Sequence, residues 1–174
     1  MPDKERELQL RFWQGDPVGL LDDLKLRGSE YRLTSVRTFA ELALAVPSSI
    51  SVQSERDLFG FLRECRYASD SELFGKKDYW QAPDEFERTR AGDCEDHALW
   101  AWRKSVDLGQ DARFTLGEMS GKLHAWVTVF DRGAPYILET TAKETLGLID
   151  VSRRPAYAPS VSIDRVLRLY RHLR

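Results

Sequence analysis

The apolar residues of this chain change their spacing near residue 110, and this change limits the folds open to it. Before that point they recur every three or four residues, as on one face of a helix. After it, apolar and polar residues alternate, as in strands with one buried face. Helices followed by an antiparallel sheet predict an α+β fold.

Cap residues and helical spacing predict five helices in the first part of the chain. The first has Asp16 as its cap and Pro17 in its first turn, where proline is tolerated. Gly109 stands just past the end of the last. The predicted helices are 18–25, a segment capped by Thr34 and ending near Ala45, one capped by Ser54, a short one over 83–87, and one from Cys94 to about Val106.

Alternation predicts strands over 112–117, 124–130 and 136–139, with a turn at 131–133. A last strand is predicted over 165–171, with a short helix as the alternative there. His124 and Glu139 lie at comparable distances from the 131–133 turn. They are therefore expected to be near neighbours across a hairpin.

The totals favour a single domain, residues 1–174, and exclude several classes of function. A net charge of −2 gives no electrostatic case for binding nucleic acid. No apolar run approaches the roughly 20 residues of a membrane span, and the polar start lacks the apolar core of a signal peptide. We therefore expect a cytoplasmic protein that binds neither nucleic acid nor membrane.

The most informative residues are Cys94 at a predicted helix start, His124 on one strand and Glu139 on the next. A helix N-terminus favours the thiolate, and a histidine can hold the thiol's proton as imidazolium. A carboxylate on one ring nitrogen fixes the tautomer and leaves the other nitrogen for the thiol. The acids Asp93, Glu95 and Asp96 would raise the thiol pKa, so we expect them to point away from the sulfur.

The remaining cysteine and histidines are given structural interpretations. His97, three residues past Cys94, is the rival base, but it is expected to pack on the helix's inner face. Cys65 lies in an amphipathic stretch and is expected to be a packed thiol. His172 is expected to be solvent-exposed. Zinc is excluded because the cysteines and histidines lack paired ligand spacing.

Two stretches resemble the transglutaminase-like cysteine peptidases, a bacterial branch of the papain-like superfamily. One is the segment 78–86, with a Trp, a Pro and a Glu, followed by Gly-Asp-Cys-Glu-Asp at 92–96. The other is His-Ala-Trp at 124–126. The resemblance covers about residues 54–142, which leaves 1–53 as a helical N-terminal extension.

The resemblance implies a papain-like, transglutaminase-like core and a Cys-His-Asp triad. Carried over, it makes Cys94 the nucleophile, His124 the base and Glu139 the orienter, with Glu where Asp is usual. The oxyanion would be stabilised by the Cys94 N–H and by a donor from Trp80 or Gln81.

In adhesin-cleaving members of this branch, acids around the cysteine are associated with calcium. Asp93, Glu95 and Asp96 match that motif. Three adjacent acids alone do not complete a calcium shell, so helix-start acids and no metal or cofactor are the favoured interpretation.

The sequence thus predicts a cysteine peptidase or amidase that acts on a protein or peptide through a thioester. A protein transglutaminase, which passes the acyl group to an amine, is one alternative. A non-catalytic module that holds a peptide in the same groove is the other. The residues do not define the substrate or the oligomeric state.

Overall fold

The computed structural model describes residues 2–19 and 33–173. The α-helices end at Asp107, and the longer strands follow them. The helices are α1 (Pro2–Gln14), α2 (Leu33–Ala45), α3 (Glu55–Glu64), α4 (Asp70–Phe74), α5 (Pro83–Thr89) and α6 (Cys94–Asp107). The strands are β1 (Asp16–Pro17), β2 (Arg66–Tyr67), β3 (Ala91–Gly92), β4 (Asp111–Met119), β5 (Lys122–Asp131), β6 (Ala134–Glu139), β7 (Gly147–Asp150), β8 (Tyr157–Ile163) and β9 (Leu169–Arg171).

Seven strands form one antiparallel sheet in the order β1-β9-β8-β4-β5-β6-β7. The main core packs α6 against β4 and β5 on one face of this sheet. A second, smaller hydrophobic cluster contains Trp126 and Ile137 of the sheet, and Trp13 of α1 packs in it. This architecture confirms the predicted α+β class.

Local caps explain where the helices begin. The Ser54 side chain accepts from the Asp57 backbone N–H at 3.3 Å, as expected of an N-cap. Asp93 caps α6 in a capping box, in which the Asp96 side chain accepts in return from the Asp93 N–H. The box fixes the first turn of α6, and hence Cys94, against the preceding strand β3.

The predicted hairpin between β5 and β6 is present. Arg132 and Gly133 form its two-residue turn, and both have positive φ (50° and 81°), as a type I′ turn requires. The register pairs Val127 with Leu138. His124 and Glu139 therefore stand just past the paired part of the hairpin, at the same end of the sheet.

Several predictions about the chain ends were wrong. Asp16 and Pro17 form β1, which pairs with β9, instead of starting a helix; residues 20–25 of that predicted helix lie outside the described ranges. α2 begins at Leu33, one residue before its predicted cap. Only 169–171 of the predicted 165–171 strand is a strand, and α1 and β8 were not predicted.

Among the described residues, no helix combines the length and apolar character needed to cross a membrane.

Candidate active site

Cys94 is the first residue of α6 and lies where the helix meets the sheet. Its side chain is nearly buried, with 9% of the residue exposed. The backbone N–H of Ala125, in β5, lies close enough to the sulfur to act to lower the Cys94 pKa. The sulfur is thus near the residue that follows His124.

Glu139 binds His124 and is itself firmly held. His124 Nε2 lies 3.0 Å from Glu139 Oε2. The other oxygen, Oε1, accepts from the N–H groups of Thr140 (2.9 Å) and Thr141 (2.8 Å) and from the Thr141 hydroxyl. Together these contacts orient the carboxylate and aim it at one nitrogen of the ring.

The charge on Glu139 determines the His124 tautomer. Burial acts to raise the Glu139 pKa, but the hydrogen bonds and the charge of His124 outweigh it and lower that pKa to about 2. The carboxylate is therefore ionised and can only accept. Nε2 of His124 carries the hydrogen, and Nδ1 is the nitrogen that can take a proton.

Glu95 does not point away from the sulfur, which corrects our expectation. The Cys94 thiol donates to Glu95 Oε2 at 3.0 Å. Burial, followed by Glu95 and then Asp93, raises the Cys94 pKa above its ordinary value. In this arrangement the thiol holds its proton.

A cluster of acids lies behind the cysteine. Single oxygens of Asp70, Asp93 and Asp96 all fall within 4.8 Å of one another. The sequence motif for calcium had included Glu95, but Glu95 is turned toward the sulfur and Asp70 is the third acid of the cluster. Burial is the main cause that raises the Asp93 pKa, and it raises the Asp96 pKa to about 7. Three carboxyl groups this close in a buried site favour bound protons or a cation.

Trp80 and Gln81, the candidate oxyanion donors, are both buried, at 5% and 1% exposed. Trp80 packs in the core, with its ring 4.8 Å from that of Phe39. The two hydrogens of the Gln81 amide already go to Ala91 O and Asp96 Oδ2, both at 2.8 Å. The Gln81 backbone N–H also binds Asp96, at 2.7 Å. Gln81 thus braces the capping box and has no side-chain N–H left for a substrate.

The other histidines and Cys65 are buried. His97 packs 4.8 Å from the Phe86 ring, and its Nδ1 donates to Asp93 O at 2.7 Å. Burial lowers the His97 pKa to about 4, so it is a packed residue. Cys65 is also packed as expected, and burial raises its pKa to about 11.

The expectation for His172 was wrong. It is buried between α1 and β8, where Nδ1 donates to Phe12 O at 2.7 Å and Nε2 lies 2.9 Å from Ser162 Oγ. Pairing of β9 with β1 and β8 draws the end of the chain into the sheet. The sequence near residue 172 carries no local sign of those long-range pairs.

Three residues near the site were missed by sequence reasoning. Asp70 completes the acid cluster. Tyr67, 55% exposed, lies close enough to Cys94 for the thiolate charge to act on its hydroxyl. Tyr157 donates to Glu139 Oε2 at 2.5 Å. Ser69 ahead of Asp70 marks a helix start, whereas no local pattern marks either tyrosine as a site residue.

Comparison with known proteins supports the fold. No protein-family model matches the sequence, and no curated protein matches it. The solved structure of Legionella pneumophila LapG, EGTA-treated, is 21% identical with a TM-score of 0.58, covering 80% of this chain and 86% of that one. Calcium-bound LapG from the same organism is 22% identical with a TM-score of 0.57, covering 80% and 77%.

At these identities the similarity shows the fold, so the chain has the mixed helix and antiparallel-sheet fold of LapG. This confirms the fold that the resemblance implied.

Proposed function

We propose that this protein is a cysteine peptidase or amidase that acts on a protein or peptide substrate in the cytoplasm. Cys94 is the nucleophile, His124 the general base and acid, and Glu139 the residue that orients His124. The observation that carries the proposal is the held Glu139 carboxylate on His124 Nε2, together with a cysteine at a helix N-terminus whose sulfur lies near Ala125.

The proposed reaction is acyl transfer through a thioester. The Cys94 sulfur attacks the amide carbonyl carbon while its proton passes to His124 Nδ1. The backbone N–H of Cys94 stabilises the oxyanion. The imidazolium, stabilised by Glu139, then protonates the leaving amine as the C–N bond breaks. Water, with its proton taken by His124, hydrolyses the thioester and releases the acid.

The hydrogen bond from the thiol to Glu95 must break before this reaction can begin. In the arrangement seen here the thiol donates to Glu95 Oε2 at 3.0 Å. His124 can receive the proton only after the S–H bond has turned away from this carboxylate or the carboxylate has moved. The structure therefore corresponds to a resting form of the proposed enzyme.

We also propose that the Asp70, Asp93 and Asp96 cluster holds calcium. The donors are hard oxygens, which calcium prefers. Asp70 is 4% exposed, and its Oδ1 has no hydrogen-bond partner among the described residues, so an acceptor is available in the cluster. When bound, the ion would supply positive charge beside the N-terminus of α6. The three carboxylates would hold it, while Asp96 keeps its bonds to Gln81.

The thiol's protonation supports a second candidate, a module that holds a peptide without cleaving it. Selective alkylation separates the two functions. Iodoacetamide at pH 6, with calcium present, is expected to label Cys94 faster than the buried Cys65, as followed by peptide mass spectrometry. His124→Ala should bring the Cys94 rate down toward that of Cys65. Equal rates in the unmodified protein would contradict the proposed enzyme.

A transglutaminase is the remaining alternative, since an amine can replace water in the second half of the reaction. Digestion of a protein substrate in the presence and absence of an added amine distinguishes the two. A hydrolase gives products whose mass is unchanged by the amine. High-yield incorporation of the amine would identify a transamidase instead.

A further inference from the structure

Tyr157 makes a contact that the triad chemistry does not use. Its hydroxyl donates to Glu139 Oε2 at 2.5 Å, and His124 Nε2 lies 3.0 Å from the same oxygen. One carboxylate oxygen therefore serves two donors, and the tyrosine is the nearer one. The Tyr157 side chain comes from β8, outside the strands that carry His124 and Glu139.

The Tyr157 ring is fixed by its neighbours. It is 8% exposed and meets the Trp126 ring edge-on, with centroids 5.2 Å apart and planes at 87°. It also meets the His124 ring, at 6.0 Å. Because β4 and β5 separate β8 from β6, the hydroxyl must reach across the sheet surface. Gly117 of β4 lets β8 and the Trp126 ring lie close to the sheet, since a Cβ at that position would collide with the Ala158 carbonyl oxygen and lie 2.8 Å from that ring.

Glu139 cannot turn away from this shared contact. Its other oxygen, Oε1, is held by two backbone N–H groups and by the Thr141 hydroxyl. A second donor on Oε2 withdraws electron density from the oxygen that His124 uses, and so weakens its bond to the ring. Removing that donor should strengthen the remaining one.

We propose that Tyr157 is a positioning residue that acts through Glu139. It fixes Oε2 in front of His124 Nε2 and sets the strength of the His124–Glu139 hydrogen bond. This inference rests on the proposed function, but the effect of Tyr157 on the His124–Glu139 hydrogen bond can be measured without any reaction. It adds a fourth side chain to the catalytic group, supplied by a part of the chain that carries no recognisable motif.

The test compares variants in which only the hydroxyl changes. Other ionisable groups act electrostatically on members of this network and stay in place in every variant; they are His97, Lys143 and Arg154. Cys94 is replaced by Ala throughout, so that the thiol does not contribute. The full chain is labelled with ¹⁵N, and the Nε2–H proton resonance of His124 is recorded by NMR.

In Tyr157→Phe the His124 Nε2–H resonance should move downfield, and its exchange with water should slow, because Glu139 becomes the stronger acceptor. Tyr170→Phe is the matched control. The Tyr170 hydroxyl also donates to a carboxylate, that of Asp164, at 2.9 Å, but this pair lies away from the site. A change in Tyr157→Phe no larger than that in Tyr170→Phe would overturn the proposal.

A second variant covers the case in which Tyr157→Phe does not fold. Site-specific 3-fluorotyrosine at position 157 keeps the ring and makes the hydroxyl a stronger donor. The His124 resonance should then move upfield, opposite to the Phe variant, and an unchanged or downfield resonance would contradict the proposal. All of these variants lack Cys94. A negative NMR result would therefore be distinct from a failure of thiol activation, which the alkylation experiment tests separately.

Discussion

At the scale of single residues, Glu95 opposes the chemistry that its neighbour is proposed to perform. Helix N-termini and nearby imidazolium lower a thiol pKa, yet burial and the Glu95 carboxylate raise that of Cys94. The carboxylate both accepts the thiol proton, at 3.0 Å, and repels the thiolate charge. Cys94 is thus restrained by the residue that follows it.

Replacing this acid should release the thiol. Glu95→Gln removes the negative charge, so we expect a larger thiolate fraction, by about tenfold for each unit by which the Cys94 pKa falls, and therefore faster iodoacetamide labelling of Cys94. Glu41→Gln, a change to an exposed acid of α2, is the control and should leave the rate unchanged. Equal rates in both variants would show that Glu95 does not restrain the sulfur. The rates can be followed by peptide mass spectrometry.

Asp70 offers a test of the calcium proposal that does not depend on activity. Calcium that binds only the folded protein at 100 times its dissociation constant stabilises it by about 2.7 kcal/mol. We expect calcium to raise the melting temperature, EGTA to reverse the rise, and Asp70→Asn to abolish most of it. Asp84→Asn changes a half-buried acid that is paired with Arg88 outside the cluster, and it should keep the calcium effect. A rise of equal size in Asp70→Asn would rule out this site.

The residues that could be predicted are those fixed by local structure. His124 and Glu139 face each other because one tight hairpin carries both. Cys94 lies inside a capping box whose residues are all neighbours in the sequence. Asp70 and Tyr157 reach the site through contacts between elements distant in sequence, and single-sequence patterns do not encode such contacts.

At the scale of elements, α1 supports the sheet from the side opposite to α6. Trp13 of α1 meets Trp126 edge-on, with ring centroids 6.3 Å apart, and Trp126 in turn stacks on His124 at 6.1 Å. The N-terminal helix is thus joined to the base by two aromatic contacts. Its packing contributes to the stability of the part of the sheet that carries His124.

Removing the aromatic anchor of α1 should therefore be costly. Trp13 is 3% exposed, and loss of a buried Trp side chain typically costs about 3–5 kcal/mol of unfolding free energy. We expect Trp13→Ala to fall in that range in urea denaturation. Leu8→Ala on the same helix removes a side chain that is 68% exposed and should have little effect. Similar losses in the two variants would contradict the anchoring role of Trp13.

The elements divide in the same way as the residues. The helices α3, α5 and α6 have strong local start signals, and β4 to β6 alternate clearly, so all were predicted. The β1 residues were predicted to start a helix because Asp-Pro is a common helix start. They form a strand instead, because they pair with β9 at the far end of the chain. β8 contains Pro159 and two serines, which weaken its strand pattern.

At the scale of the whole molecule, two buried carboxylates link stability to pH. Glu87 accepts from Trp100 Nε1 at 2.9 Å and lies 3.4 Å from Lys104 Nζ. Burial acts to raise its pKa, but the hydrogen bonds and Lys104 outweigh it and lower the pKa to about 2. Glu139 is lowered to about 2 as well. Both groups prefer to be ionised in the folded state.

A carboxyl group whose pKa is lower in the folded state than in the unfolded state stabilises the fold. This stabilisation is complete at pH values above the unfolded-state pKa, which is about 4.3 for Glu. That stability is lost as the pH falls toward 2, by about 3 kcal/mol for each group. We therefore expect urea midpoints to drop steeply between these limits. Glu87→Gln should make the drop shallower, whereas Glu41→Gln should not. An equally steep drop in Glu87→Gln would contradict the Glu87 contribution.

The hydrogen bond from Cys94 to Glu95 also determines how the protein withstands oxidants. Peroxide attacks thiolates in preference to thiols, and oxidation beyond the sulfenic acid is generally irreversible. A nucleophile whose proton is held by Glu95 and whose residue is 9% exposed resists that damage while it waits for a substrate. The acid that slows the cysteine therefore also preserves it.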